Sequence, residues 1–148
     1  MSVENVKKLS EEELEKLIEE YNQKMDDIMN DDGDVEECEK VYKKYIQAYE
    51  QLMAMNLDKY AEKVAEAYYM FSEFYLNFTE HDVKGINVLK KRLELYKKLA
   101  ERDAKYLIKV QDSYEDLADT YESIGWERKA DEMYDMVDKM KESLKVKL

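Results

Sequence analysis

The residue pattern that comes closest to a chemical site lies in residues 30–39, where oxygen-bearing side chains recur at short intervals. Side chains able to bind a cation stand at Asn30, Asp32, Asp34, Glu36 and Glu39, around a glycine at position 33. This order is typical of a calcium loop, in which carboxylate and amide oxygens surround the ion and a glycine makes the bend. The leading ligand position, however, holds Ile28, and Gly33 is also explained as an ordinary turn between two helices. Whether residues 31–39 bind calcium therefore stays open.

The other reactive side chains are isolated from one another in the sequence. His81 is the only histidine and Cys38 the only cysteine, whereas a zinc site needs several His or Cys ligands and a di-iron bundle needs paired Glu-x-x-His motifs. We expect His81 to be exposed in the first turn of a helix and Cys38 to be packed where two helices cross. The sequence contains no nucleophile–base pair and no phosphate-binding glycine loop. It therefore predicts a protein that is not an enzyme and that needs no metal or cofactor.

Composition limits the class of protein further. The chain has 148 residues with 36 acidic and 24 basic side chains, a formal net charge of −12, so nucleic acid and anionic membranes are poor partners. The absence of proline, only three glycines and 45% hydrophobic residues favour one packed domain over residues 1–148. A single cysteine cannot form an internal disulfide, and the sequence shows neither a signal-peptide pattern nor a membrane span. We expect a cytoplasmic protein.

The hydrophobic pattern is that of α-helices throughout. In residues 60–78 apolar side chains recur every three or four positions on two stripes, which predicts a helix packed between neighbours. The first stripe comprises Tyr60, Val64, Ala67, Phe71, Phe74 and Phe78, and the second comprises Ala61, Ala65, Tyr68, Ser72 and Tyr75. Ser10 with Glu13 forms a capping-box pattern at a helix start. Thr79 with Asp82 is a weaker version of the same pattern.

Turns and an internal repeat organise these helices. Glycine adopts a positive φ at little cost, so Gly33 and Gly125 predict turns between antiparallel helices. We expect helices near residues 10–31, 35–55, 58–78, 81–101, 104–124 and 127–146. A shift of 46 residues lays Lys59, Tyr60, Lys63, Val64, Tyr68 and Tyr75 on the identical residues Lys105, Tyr106, Lys109, Val110, Tyr114 and Tyr121. Such a period is typical of stacked helical hairpins, here in units of about residues 10–56, 57–102 and 103–148.

The residue order in the last unit resembles the tetratricopeptide repeat family. Aromatic, large, small and turn residues follow in the family's order at Tyr114, Leu117, Ala118, Tyr121, Gly125, Ala130, Tyr134 and Val137. The middle unit matches through Tyr68, Phe71, Ser72, Tyr75, Gly85, Leu89 and Arg92, and the first unit matches loosely. The resemblance implies an all-α fold of three antiparallel helical hairpins stacked as a right-handed superhelix. Because the 46-residue period is longer than the family's and its proline is absent, the units resemble an extended-helix variant.

In this family the first helix of each hairpin lines a concave surface that commonly binds a peptide. The matching positions are Glu20, Gln23, Asp27, Asn30 and Asp31 in the first unit, Glu66, Tyr69, Glu73, Leu76 and Asn77 in the second, and Asp112, Glu115, Asp119, Glu122 and Ser123 in the third. Nine of these fifteen positions are acidic and none is basic, whereas the composition predicts about four acidic ones. The resemblance therefore implies a concave face that is more acidic than the chain as a whole.

We expect a non-catalytic adaptor that binds a basic or amphipathic segment of a protein or peptide on this acidic face. The expected contact residues are Glu66, Tyr69, Glu73, Asp112, Glu115, Asp119 and Glu122. The last four share one helix face, where like charges repel by a few tenths of a kcal/mol per pair, and a cationic partner would relieve that repulsion. Tyr69 would add apolar contact. An acidic helix face is also the ordinary solvated surface of an acidic protein, and that alternative stays open.

Two further interpretations concern the surface of the protein. The chain has 13 tyrosines and nine methionines, so the alternative function is a structural protomer that self-associates through Tyr/Met-rich helix surfaces. The oligomeric state, a homo-oligomer included, stays open. Trp126 directly follows the turn glycine, where it is either a staple over the hairpin or an exposed aromatic contact, and we favour the staple.

Overall fold

The computed structural model describes residues 8–31 and 33–147, which are all-α and contain no strand. Their six helices are α1 (Glu11–Asn30), α2 (Val35–Met55), α3 (Leu57–Phe78), α4 (Asp82–Arg102), α5 (Leu107–Ser123) and α6 (Glu127–Lys147). A single turn of 3-10 helix, Ala104–Tyr106, precedes α5. The six helices expected from the sequence are confirmed, with every end within three residues of its expected position.

The chain forms two compact units, Met1–Ala67 (unit 1) and Tyr68–Leu148 (unit 2), and the boundary between them falls inside α3. The single domain and the three repeat units expected from the sequence stay predictions. None of the described helices combines the length and the apolar composition that crossing a bilayer requires.

Apolar stripes on α1, α2 and the first half of α3 form the core of unit 1. Buried residues recur every three or four positions, so each helix turns one side inward. They are Leu14, Ile18 and Met25 on α1, Cys38, Val41, Tyr45, Ile46, Ala48 and Leu52 on α2, and Tyr60, Ala61, Val64, Ala65 and Ala67 on α3. Each large aliphatic or aromatic side chain removed from water in this way contributes about 1.5–3 kcal/mol to the stability of the fold.

Local hydrogen bonds fix the helix starts in unit 1. Ser10 and Glu13 form the predicted capping box, in which each side chain accepts a hydrogen bond from the backbone amide of the other residue at 3.1 Å. Asp34 caps α2 by accepting a hydrogen bond from the Glu36 amide at 2.9 Å. Both caps satisfy backbone N–H groups that have no partner inside the helix.

A polar cluster joins α1 to α3 in unit 1. Tyr60 is only 1% exposed, yet its hydroxyl reaches the carboxylates of Glu11 and Glu15 at the surface. Lys59 Nζ lies 2.9 Å from Glu11 Oε1. The hydrogen bond from Tyr60, together with the one from Lys59, lowers the pKa of Glu11. Burial, followed by the hydrogen bonds to Glu11 and Glu15, raises the pKa of Tyr60.

Unit 2 consists of the second half of α3 packed on α4, with α4 packed on α5 and α5 on α6. Its buried apolar residues are Tyr68, Phe71, Phe74, Tyr75, Ile86, Val88, Leu89, Leu93, Leu95, Tyr96, Leu99, Val110, Tyr114, Leu117, Ala118, Tyr121, Ala130 and Val137. Gly85 permits the close approach of α3 and α4, since a Cβ at this position would lie 2.9 Å from Leu76 Cγ and 3.3 Å from the Ser72 carbonyl oxygen.

The two predicted glycine turns have different physical causes. Gly125 adopts a φ of +84°, and the Trp126 amide closes the end of α5 by donating to the Tyr121 carbonyl at 2.8 Å, as in a Schellman motif. The Trp126 ring stacks on Tyr121 with centroids 5.9 Å apart, which confirms the expected staple. At Gly33 the cause is lack of space, because a Cβ there would lie 2.2 Å from the Ile28 carbonyl oxygen.

The expected capping box between Thr79 and Asp82 is wrong. The Thr79 hydroxyl donates to the Tyr75 carbonyl at 2.6 Å and accepts from the His81 amide at 3.0 Å. His81 takes the N-cap position of α4, and its side chain makes no capping hydrogen bond. A threonine just past a helix end finds a carbonyl four residues back, and this local bond competes with capping of the next helix.

Candidate partner-binding site

The seven residues expected to contact a partner belong to both units. Glu66 lies on α3 in unit 1, where it is exposed, and the other six lie on α3 and α5 in unit 2. Tyr69, Glu115, Asp119 and Glu122 are exposed, whereas Glu73 and Asp112 are half-buried. Within unit 2 the structure brings Glu73 and Asp119 to one cleft, which Asp112 and Glu115 do not line.

This acidic cleft lies between α3, the start of α4 and the end of α5, and has a volume of about 290 Å³. It is lined by Glu73, Leu76, Asn77, Asp82, Asp119, Thr120, Ser123 and Ile124. Three of these residues are carboxylates and none of them is basic, so the cleft has a negative potential. Five of them occupy positions that the repeat pattern assigned to the concave face: Glu73, Leu76, Asn77, Asp119 and Ser123.

The ends of two helices add to the negative potential of the acidic cleft. Asn77 lies in the last turn of α3, and Ser123 is the last residue of α5. The C-terminal end of a helix carries about half a unit of negative charge, which a lysine or arginine in the last turn commonly offsets. The last turns of α3 and α5, both fully described, contain no basic residue. The start of α4 has the opposite polarity and offsets part of the charge of Asp82.

Within unit 2, the side chain of Tyr134 contacts two of the carboxylates on α5. Tyr134 Oη on α6 lies 2.6 Å from Asp119 Oδ1 and 2.7 Å from Glu122 Oε2. The hydrogen bonds to Asp119 and then to Glu122 raise the pKa of Tyr134. Because a phenol has one proton to donate, it bonds one carboxylate at a time. A neutral hydroxyl therefore lies between two acidic side chains and adds no compensating charge.

Tyr69, which was expected to contact a partner, also packs against another side chain of unit 2. Its ring lies against the guanidinium of Arg92 on α4, whose Cζ is 4.9 Å from the ring centroid. Arg92 Nη1 also lies 2.6 Å from Asp116 Oδ2 on α5. Burial, followed by the charges of Glu73 and Asp116, raises the pKa of Tyr69. With 38% of its surface exposed, Tyr69 supports the packing of α4 and leaves part of its ring free for contact.

A second cleft adjoins the acidic one, and most of its exposed lining is apolar. This apolar cleft has a volume of about 470 Å³ and is lined by Glu80, His81, Asp82, Val83, Lys84, Ile124 and Trp126. Asp82 and Ile124 line both clefts, so the two hollows are contiguous. Val83 is 54% exposed and Trp126 is 43% exposed. Large apolar side chains that remain in water beside a hollow are typical of surfaces that contact another molecule.

Two of the candidate metal ligands, Asp34 and His81, lie at helix starts, and the cysteine lies in the core of unit 1. Among the described residues, no three His, Cys, Asp or Glu side chains are grouped so that they could hold a metal ion. Asp32 of the candidate calcium loop lies outside the described residues, and Asp34 serves as the cap of α2. His81 is exposed at the start of α4, as expected. Cys38 is fully buried, as expected, and burial raises the pKa of its thiol.

Of the residues that line the two clefts, only Glu73 and Asp119 were among the expected contacts. Asp82 and Val83 belong to the first turn of α4, which the repeat pattern does not assign to the concave face. An apolar valine in an otherwise polar helix start is the signal that could have identified this turn. Trp126 is both a staple and an exposed aromatic, so the two interpretations of it are not exclusive. No protein-family model, curated protein or solved structure matches the chain.

Proposed function

We propose that this protein is a non-catalytic cytoplasmic adaptor, similar in plan to tetratricopeptide repeat proteins, that binds a basic or amphipathic segment of a partner protein. The observation that supports this proposal is the acidic cleft, where Glu73, Asp82 and Asp119 lie beside two helix ends that have no cation of their own. A lysine or arginine of the partner would supply the missing charge. From the sequence pattern, the proposed contact set also includes Glu66, Tyr69, Asp112, Glu115 and Glu122.

The net charge of −12 favours the same class of partner. It repels nucleic acid and anionic membranes and attracts basic segments over distances of about a Debye length, roughly 8 Å at physiological ionic strength. Carboxylates at the surface of a cleft interact with a cation through partly screened charges. Binding that depends on them should therefore weaken steeply as salt is added.

The proposal can be tested by selecting random displayed peptides on the immobilised protein and on two variants at low salt. The cleft variant, Glu73→Gln with Asp119→Asn, removes two charges from the acidic cleft. The control variant, Glu132→Gln with Asp138→Asn, removes two charges from exposed positions on α6. We expect the unmodified protein and the control variant to enrich the same basic, amphipathic peptides, and the cleft variant to enrich them far less.

Equal enrichment on all three proteins would contradict the proposal. It would show that basic peptides bind through the overall negative charge of the protein and do not need the acidic cleft. Enrichment of acidic or uncharged peptides would contradict it as well. Both variants replace carboxylates by amides of the same shape, which keep an oxygen that accepts hydrogen bonds, so their melting curves should stay close to that of the unmodified protein. Circular dichroism checks this before selection begins.

Self-association is the second candidate function, and exposed apolar side chains of unit 2 favour it. Phe78 is 56% exposed and Ile108 is 49% exposed. A second copy, however, would have to approach against the net charge of −12. Sedimentation velocity over a range of concentrations distinguishes the two candidates. A monomer at micromolar concentration supports the adaptor, and a reversible dimer at that concentration supports the protomer.

A further inference from the structure

The acidic and apolar clefts of unit 2 form one continuous surface because Asp82 and Ile124 line both of them. On one side of these two residues lie the exposed apolar side chains of Val83 and Trp126. On the other side lie the carboxylates and helix ends of the acidic cleft. An apolar hollow beside a negative one is complementary to a segment that presents a large apolar side chain next to a cation.

The charges around this surface decide which occupant fits it. A second copy of the chain would bring a further net charge of −12 toward a cleft that is already negative. The last turns of α3 and α5, both fully described, supply no cation of their own. Lys84, which lines the apolar cleft, already lies over the Tyr75 ring at 5.8 Å from its centroid. The occupant that the charges favour is a basic segment of another protein.

We propose that the apolar cleft holds one large apolar side chain of a partner segment while the acidic cleft holds a neighbouring lysine or arginine of the same segment. This inference rests on the proposed function and adds a requirement to it: positive charge alone is not sufficient for binding. Because the clefts adjoin, the two side chains have to lie on one face of the segment, as residues three or four apart do on a helix.

Trp126 makes occupancy of the apolar cleft measurable. It is the only tryptophan of the chain, so intrinsic tryptophan fluorescence reports on this cleft alone. The indole is 43% exposed in the free protein, and an apolar side chain that enters the cleft removes it from water and shifts its emission to the blue. Binding confined to the acidic cleft leaves the indole in water and its emission unchanged.

The probes are three synthetic peptides of equal length, each with a fluorescent label and without tryptophan. The first presents leucine and lysine on one helical face, the second has serine in place of leucine, and the third has glutamine in place of lysine. Label anisotropy measures binding, and Trp126 emission measures occupancy of the apolar cleft. We expect the leucine–lysine peptide to bind most tightly and to shift the emission, and the serine–lysine peptide to bind weakly without a shift.

A matched pair of variants tests the apolar cleft itself. Val83→Ser removes apolar surface from the cleft, and Ile108→Ser removes it from an α5 residue of similar exposure, 49% against 54%. Val83→Ser should weaken binding of the leucine–lysine peptide about tenfold, since two methyl groups lose their burial. It should leave the serine–lysine peptide unaffected, and Ile108→Ser should leave both peptides unaffected.

The possible outcomes separate this inference from the proposed function. If the leucine–lysine peptide binds and the cleft variant weakens it, but Trp126 emission does not move, the two-part site is overturned while the acidic cleft remains a binding site. Equal weakening by Val83→Ser and Ile108→Ser also overturns the two-part site. A blue shift that depends on protein concentration without peptide identifies a second copy as the occupant and overturns it too. If none of the peptides binds, both proposals fail.

Discussion

Two single residues, Tyr134 on α6 and Trp126 in the turn between α5 and α6, contribute side chains to the candidate site. The Tyr134 hydroxyl crosses from α6 to the carboxylates of Asp119 and Glu122 on α5. Trp126 stacks on Tyr121 at the turn between the same two helices, and it also lines the apolar cleft. One residue thus competes for the carboxylates that a partner would use, and the other offers an aromatic surface beside them.

Replacing Tyr134 by phenylalanine should strengthen binding of the leucine–lysine peptide. Tyr134→Phe keeps the ring but removes the hydrogen-bond donor that competes with a lysine for Asp119 and Glu122. The folded state raises the pKa of Tyr134. Its hydrogen bonds to the two carboxylates therefore stabilise the fold at neutral pH, and this stabilisation is lost only as the pH rises through the raised pKa. The melting temperature at pH 7 should therefore fall slightly. Weaker binding would show instead that the hydroxyl positions the carboxylates for the partner.

Gly125 should be the glycine whose replacement is costly for backbone reasons alone. An alanine Cβ there would meet no atom within 4 Å, but the φ of +84° remains unfavourable for it. We expect Gly125→Ala to lower the free energy of unfolding by about 1–2 kcal/mol. Gly125→Asn should cost less, because asparagine tolerates this conformation. Urea denaturation measures both, and equal costs for alanine and asparagine would contradict the backbone explanation.

At the scale of helices, the sequence was sufficient to predict the six helices of the described residues. The apolar spacing of three and four is a local property, and so are the Ser10–Glu13 cap and the Gly125 turn. Predictions failed where two local bonds competed. The Thr79 hydroxyl bonds back to the Tyr75 carbonyl instead of capping α4. At the start of α5, Asp103 accepts from the Lys105 amide and a 3-10 turn forms first.

The candidate site could be predicted only in part, for a related reason. Glu73 and Asp119 are separated by one 46-residue period, so the repeat pattern alone assigns them to equivalent positions. Asp82 and Val83 enter the clefts because α4 packs closely on α3 at Gly85, which depends on tertiary contacts. The reach of Tyr134 across to α5 likewise depends on how α6 packs. Sequence spacing contains no information of that kind.

The link between α1 and α3 should make unit 1 sensitive to acid. The folded state lowers the pKa of Glu11 through the hydrogen bond from Tyr60 and through Lys59. A carboxyl group whose pKa is lowered by folding stabilises the fold at every pH above its ordinary pKa. That stabilisation is lost as the pH falls through the lowered pKa. Tyr60→Phe should therefore lower the melting temperature at pH 7 and reduce the further loss on acidification below about pH 4.5.

Tyr21→Phe is the matched control for this prediction, since it makes the same chemical change in unit 1 but on α1 instead of α3. Its melting temperature should follow that of the unmodified protein at every pH. Amide hydrogen exchange adds a local measurement, because α1 should exchange faster in Tyr60→Phe while the end of α2 changes less. An identical pH profile for the two variants would contradict a stabilising role for the Tyr60 cluster.

At the scale of the whole molecule, the unfolding of the two compact units can be followed separately. The chain provides one reporter for each: Cys38 is buried in unit 1, and Trp126 lies in unit 2. The boundary falls inside α3, so unfolding of either unit would leave half of that helix without its packing. We expect pulsed thiol labelling and tryptophan fluorescence to give coincident urea transitions, as one cooperative domain requires. Separate midpoints would instead indicate two domains.

The turn at Gly125 also affects the rates at which a partner would associate with the apolar cleft and dissociate from it. The Trp126 ring already stacks on Tyr121 in the folded protein, so we expect a partner that rests on it to avoid most of the entropy loss of about 0.5–1.5 kcal/mol that ordering a freely rotating side chain costs. Carboxylates act at a distance and govern how often a cationic segment arrives, whereas close contact with the stacked indole governs how long it stays. Added salt should then slow association, while a loosened turn should shorten the lifetime of the complex.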